Sequence, residues 1–208
     1  MEIRIRSNYS AAELQAIVDE LVSSGVINAS EALPLHELQG LQIDFFDIND
    51  LLRPIHSRMV SYSNDSRKGW FDQSETDYFY HWFALQLLRG CPLSRYAPTC
   101  QDEIGAAAEQ DRFILKAGTL TVSIYYHRLN HPEFIGQLVG AVNHLLEQHG
   151  VEVTYHEIRG LDETALFLLL TSQQYDYLLV NRLIHFANID YPEIDAWRST
   201  FREEDFLF

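Results

Sequence analysis

The chain has 208 residues, 47% hydrophobic and 12% aromatic, with 15 Lys and Arg against 30 Asp and Glu for a net charge of −15. That length supports a core of its own in one or at most two domains, and the composition excludes a disordered chain. The charge argues against direct nucleic-acid binding, because phosphate recognition needs clustered Lys and Arg, and Lys68 and Lys116 are the only lysines.

No apolar run approaches the roughly 18 residues of a membrane span. The start, Met1 to Arg6, alternates like a strand and lacks the apolar stretch of a signal peptide, so the chain reads as cytoplasmic. Sixteen of the acids fall in 1–110 and fourteen in 111–208, so neither half is a charged tail. Net charge speaks first to solubility, and it leaves open an acidic face that docks on a basic partner. Cys91 and Cys100 are the only cysteines; without a signal peptide they read as free thiols, and two ligands make a poor zinc site.

In chain order, Glu2 to Arg6 is a strand candidate, and Ser10 with Glu13 forms a capping-box pair. Leu14, Ile17, Val18 and Leu21 then give the stripe of a helix that ends at Gly25. A short helix is expected near Pro34, a strand at Gly40 to Asp47, and a helix over Asp50 to Tyr62 with Pro54 in its first turn. After a polar loop at Asn64 to Gly69, Ser74 or Thr76 caps a helix through Tyr78 to Leu88, apolar nearly all round, that Gly90 stops. Pro92, Pro98 and Ala106 to Ala108 suggest an irregular connection.

The most regular stretch is Thr119 to Asn181. Leu120, Val122, Ile124 and Tyr126 lie on one strand face. Phe134, Leu138, Ala141, Val142 and Leu145 share one side of a helix over Pro132 to His149, which Gly150 closes. Val151 to Ile158 is the next strand. Asp162 would cap a helix holding Leu166 to Leu170, and Tyr177 to Val180 suits a central parallel strand. Right-handed crossovers would then put three strands in one sheet with both helices on one face. The expected organisation is a single α/β domain over 1–208, with a βα half in 1–110 and a βαβαβ half plus tail in 111–208.

The order of pieces resembles the second lobe of the family 5 solute-binding domain, the oligopeptide- and dipeptide-binding type, which also occurs as the sensor of SgrR-type transcriptional regulators. The resemblance lies in Glu2 to Arg6 with Ser24 to Pro34, in Leu41 to Asp47 with the segment around Arg53, in Thr119 to Ile158, and in Tyr175 to Val180. Asn28 stands where that family usually has Asp, and Asp47 where it has Asn. The resemblance implies a periplasmic-binding-protein-like lobe with a mixed, mostly parallel sheet flanked by helices. It also implies a small polar metabolite or peptide as ligand, met by Asn181, Arg182 and Asp190 beyond the last strand, with no cofactor. Strand C-terminal ends are where ligands meet open α/β sheets in general, and solvated loop residues are the plainer reading of the same positions.

Other constellations point less far. His127 and His131, with His144, His149 and His156 nearby, straddle a strand-to-helix turn and lack metal-site spacing. Glu157, Asp162 and Glu163 offer carboxylates for acid/base work, but Asp162 and Glu163 suit a helix start. Tyr78 to Phe83 reads as core rather than as an aromatic platform. With no phosphate loop or nucleophile elbow, the expectation is a non-catalytic binding domain without metal. Its alternative is an acidic inhibitor, of the toxin-immunity or anti-defence kind, that binds a basic protein. Neither reading involves a membrane.

Overall fold

The computed structural model describes residues 9–39, 51–52, 55, 59–63, 73–103, 111–126, 131–158 and 164–189. Helix α1 (Ala11–Ser23) starts at the expected box: the Glu13 amide donates to Ser10 Oγ, and the Ser10 amide to the Glu13 carboxylate at 2.9 Å. Its buried residues are the expected Leu14, Ile17, Val18 and Leu21. Helix α2 (Leu35–Leu38) follows Pro34. Strand β1 (Val60–Ser63) comes next, then α3 (Gln73–Arg89) and a 3-10 turn at Pro92–Tyr96. Strands β2 (Thr99–Glu103), β3 (Asp111–Ala117) and β4 (Leu120–Tyr126) lead into α4 (His131–Gln148). Strands β5 (Val153–Ile158) and β6 (Thr164–Thr171) and helix α5 (Ser172–Val180) complete the described elements.

The class is therefore a mixture of helix and strand, as expected, but the sheet arrangement is not. The described strands form two three-stranded sheets, ordered β2–β3–β4 and β1–β6–β5, and every pair in them is antiparallel. The described strands therefore do not form the expected mostly parallel sheet. Strands β4 and β5, which a right-handed crossover would have joined, belong to different sheets.

The sheet β2–β3–β4 is amphipathic. Phe113, Leu115, Ala117, Ile124 and Tyr126 point into a core shared with Tyr80, Phe83 and Leu87 of α3 and with Phe134, Leu138, Val142 and Leu145 of α4. The outer face carries Arg112, which donates to Ser123 Oγ at 2.9 Å and pairs with Glu103 at 3.2 Å. Gly118, at φ 60°, begins the two-residue turn between β3 and β4, a conformation open to glycine without steric cost.

The sheet β1–β6–β5 is a septum between two cores. From β6, Ala165, Phe167 and Leu169 face the first core, whereas Leu166, Leu168 and Leu170 face a second one built with α1, Leu178 of α5 and Leu183, Ile184 and Phe186. A central strand covered on both faces has no polar side, so its sequence loses the period-2 pattern and becomes a continuous apolar run. That is why Leu166 to Leu170 reads as part of a helix in the sequence and is a strand in the molecule.

The neighbouring segment is inverted in turn. Tyr177 to Val180, expected as a parallel strand, is the last turn of α5, which opens on a capping box between Thr171 and Gln174. Two further expectations change. Val60–Ser63 is a strand paired with β6 instead of the end of a helix over Asp50 to Tyr62. The connection after Gly90 contains the 3-10 turn and β2, and β3 precedes the expected strand at Thr119. The strands expected at Glu2 to Arg6 and Gly40 to Asp47, and the Asp162 cap, lie outside the described residues. Among the described residues no helix is long and apolar enough to cross a membrane.

Candidate functional site

The expected ligand positions Asn181 and Arg182 sit at the C-terminal end of α5. Asn181 donates its side-chain amide to Tyr177 O at 2.8 Å, and its backbone caps the helix. Arg182 takes a left-handed conformation, φ 51°, with its amide donating to Leu179 O while Leu183 donates to Leu178 O. These two bonds are a Schellman ending, and Leu178 with Leu183 supplies its buried apolar contact. The structure thus gives Asn181 and Arg182 a helix-terminating role. Asp190 lies outside the described residues.

The histidines are dispersed. His149 stacks on Tyr96 with ring centres 3.9 Å apart and its Nε2 3.1 Å from Ala117 O, His144 is exposed on α4, and His156 is on β5. The His127 position and the side chain of His131 lie outside the described set. Among the described residues no group of three His, Cys, Asp or Glu is placed to hold a metal. Glu157 is exposed on β5, its carbonyl accepting from the Ala187 amide, while Asp162 and Glu163 are outside the described residues. In α3, Tyr80 and Phe83 are buried, with Tyr80 edge-on to Phe134 at 4.6 Å, and Trp82 is 41% exposed. Burial pushes the Cys91 thiol up and raises that of Cys100 to about 11, so both stay protonated and unreactive near neutral pH.

The concave feature of interest is a cleft of about 590 Å³ between the second half of α4, the turn into β5, and the first residue of α5. Its walls include Asn143, His144, Glu147, Glu152, Thr154 and Ser172. Three local rules put them there. The solvent face of α4 recurs at Gly140, Asn143, His144 and Glu147 because the opposite stripe, Leu138, Val142, Leu145 and Leu146, is in the core. Gly150, at φ 67°, ends the helix with Val151 donating to Leu146 O, which turns Glu152 and Thr154 back alongside α4. Thr171 caps α5 and sets Ser172 at the cleft.

Asn143 fixes the spacing of helix and strand. Among the described strands β5 lies at the edge of its sheet, and no described strand takes up the outward N–H and C=O of Tyr155. Asn143 accepts from Tyr155 N at 2.7 Å and donates to Tyr155 O at 2.9 Å, in place of a strand neighbour. On the other side of the strand the buried Tyr155 hydroxyl donates to Leu87 O of α3 at 2.9 Å, and burial, helped by the adjacent Cys91, pushes its ionisation far up.

The cleft is acidic. Glu147 and Glu152 are exposed carboxylates, neither Lys nor Arg is among the described wall residues, and His144 Nδ1 lies 3.6 Å from Glu147. The C-terminal end of α4, the negative end of its dipole, opens on the same wall. Such a site attracts a cationic group and repels an anion. The sequence offered a signal for it in the polar stripe Asn143, His144 and Glu147, and no signal for its pairing with Glu152 and Ser172.

Comparison with protein-family models, with curated proteins and with solved structures finds no match to this chain.

Proposed function

We propose that the chain is a non-catalytic binding module whose α4–β5–α5 cleft takes a cationic side chain of a basic protein partner. The observation that carries this reading is the cleft wall itself: two carboxylates and no Lys or Arg among its described residues, in a chain of net charge −15. A concave site of one sign concentrates field lines and speeds encounter with an oppositely charged partner, while a lysine or arginine supplies the directed bond.

Octa-arginine peptide, titrated by calorimetry at low and at physiological salt, tests the reading. Binding that weakens with salt, and drops at least ten-fold in Glu147→Lys/Glu152→Lys, is the expected result. An Asp19→Lys/Glu37→Lys variant carries the same change of net charge at exposed positions of α1 and α2, which contribute no described residue to the cleft wall, and should lose much less. Equal losses in the two variants would mean that only net charge matters, and the cleft reading would fall.

A second reading has its own observation. The cleft volume lies within the range of small-molecule sites, which fits a small cationic metabolite or peptide. The resemblance to a family 5 solute-binding lobe favours this version, but the antiparallel pairing of the described strands does not, and we rank it second. Spermidine and free arginine in the same titrations separate the two, because a metabolite site binds them as single molecules and a protein-docking site requires the polymer.

A further inference from the structure

Thr154 belongs to two environments at once. It is a wall residue of the cleft, and its Oγ1 lies 2.8 Å from Nε2 of His156, the next residue on the same face of β5. His156 is half-buried behind that wall. Its ring stacks on Tyr175 of α5, centres 4.1 Å apart and planes 16° apart, with Phe186 edge-on at 6.0 Å. Tyr175 is three residues beyond Ser172, another wall residue, so the stack and the cleft share one strand and one helix.

A hydroxyl has one proton and two lone pairs, a neutral imidazole has one donor and one acceptor nitrogen, and an imidazolium has two donors. We propose that His156 sets the hydrogen-bond polarity of the cleft through Thr154. With a neutral ring protonated on Nδ1, the Thr154 hydroxyl donates to Nε2 and offers its lone pairs to the cleft. With a charged ring, Nε2–H donates to Thr154 Oγ1 and the hydroxyl proton turns toward the cleft. The wall is an acceptor for a cationic donor in the first state and a competing donor in the second. Binding of a cation is therefore linked to deprotonation of His156, and by reciprocity a bound cation makes His156 harder to protonate.

The surroundings suit such a switch. Burial pushes His156 below its ordinary value, so the ring holds a proton less readily than an exposed histidine does. Among the described residues, the titratable or charged groups on the elements around it are Tyr175, Asp176 and Tyr177 of α5, Arg182 and His185 beyond it, and at β5 the exposed Glu152 and Glu157 and the buried Tyr155, which faces the other core. Tyr177 is hydrogen-bonded to Glu20 of α1, and Ala165 to Thr171 of β6 contain no ionisable residue. His144 is a second histidine of the cleft wall, so the test is made in the His144→Gln background.

The link rests on the cation reading for its consequence and has a readout that does not. Spermidine and octa-arginine are titrated between pH 5.5 and 7.5, above the ordinary carboxylate range. In His144→Gln affinity is expected to weaken as pH falls, by about five-fold once the His156 ring is protonated, corresponding to one wall hydrogen bond reversed. The dependence should flatten to within two-fold when Thr154→Val or His156→Phe is added, and an undiminished dependence in Thr154→Val would overturn the proposal. Without any ligand, the Thr154 methyl resonance should titrate with the midpoint of the His156 ring protons; no inflection there would also overturn it. A methyl that titrates while neither probe binds at any pH leaves the proton link standing and removes the cation reading.

Discussion

The side-chain amide of Asn143 makes both hydrogen bonds that a neighbouring strand would make to Tyr155, at 2.7 and 2.9 Å. A helix residue thereby takes the place of a strand neighbour at Tyr155 and ties α4 to the septum sheet. Edges left open invite pairing with another chain. Asn143 thus holds one wall of the cleft and protects the sheet at the same point.

Replacing Asn143 by Ala should cost about 2 kcal/mol, since two partly buried backbone groups lose their partners. Urea unfolding measures the loss, and amide exchange should rise at Tyr155 more than at Leu168 of the covered strand β6. Asn143→Asp keeps the acceptor for Tyr155 N–H and sets a carboxylate against Tyr155 O, so it should be no more stable than the Ala variant.

Stability should depend on pH through His156. Its folded-state value lies below the unfolded one because burial penalises the charged ring. The native state therefore binds fewer protons, and stability rises with pH through this window. The contribution is complete above the unfolded value, about 6.5, and is lost as pH falls from there through the folded value. Urea midpoints from pH 7.5 to 5 should fall more steeply in the wild type than in His156→Phe, which keeps the stack on Tyr175 and has no proton to bind.

Ala97 is exposed and adopts φ 49° and ψ 60° between the 3-10 turn and β2. A Cβ is unfavourable in that left-handed region. Ala97→Gly should stabilise the fold by about 0.5 to 1 kcal/mol after the greater freedom of glycine in the unfolded chain is subtracted. The melting temperature should rise by about 2 °C for a chain of this size.

At Arg182 the backbone and side-chain contributions separate in a pair of variants. Arg182→Gly and Arg182→Ala both remove the guanidinium, but only Gly fits φ 51° without strain. The Gly variant should be the more stable of the two by about 1 kcal/mol. Equal stabilities would mean that α5 does not end in the Schellman geometry.

Some of this architecture is written locally. Helix α1 follows from Ser10, Glu13 and the stripe Leu14, Ile17, Val18 and Leu21, and α4 from Phe134 to Leu145 with Gly150 at its end, because caps and one-sided apolar faces are properties of a few adjacent residues. Strand β4 was legible for the same reason: one of its faces meets solvent, so its burial alternates. The composition likewise determined an acidic globular chain. Tertiary structure alone decided β6, whose apolar run becomes a strand only because α1 and α5 cover one side and α3 the other. It also decided that Asn181 and Arg182 end a helix, since Arg182 occupies a left-handed position with no glycine to mark it. The cleft is of this second kind. Asn143, Glu152, Thr154 and Ser172 meet across a helix, a strand and a helix start, and the antiparallel pairing of β5 with β6 and the packing of α4 on β5, neither of them visible in local periodicity, bring them together.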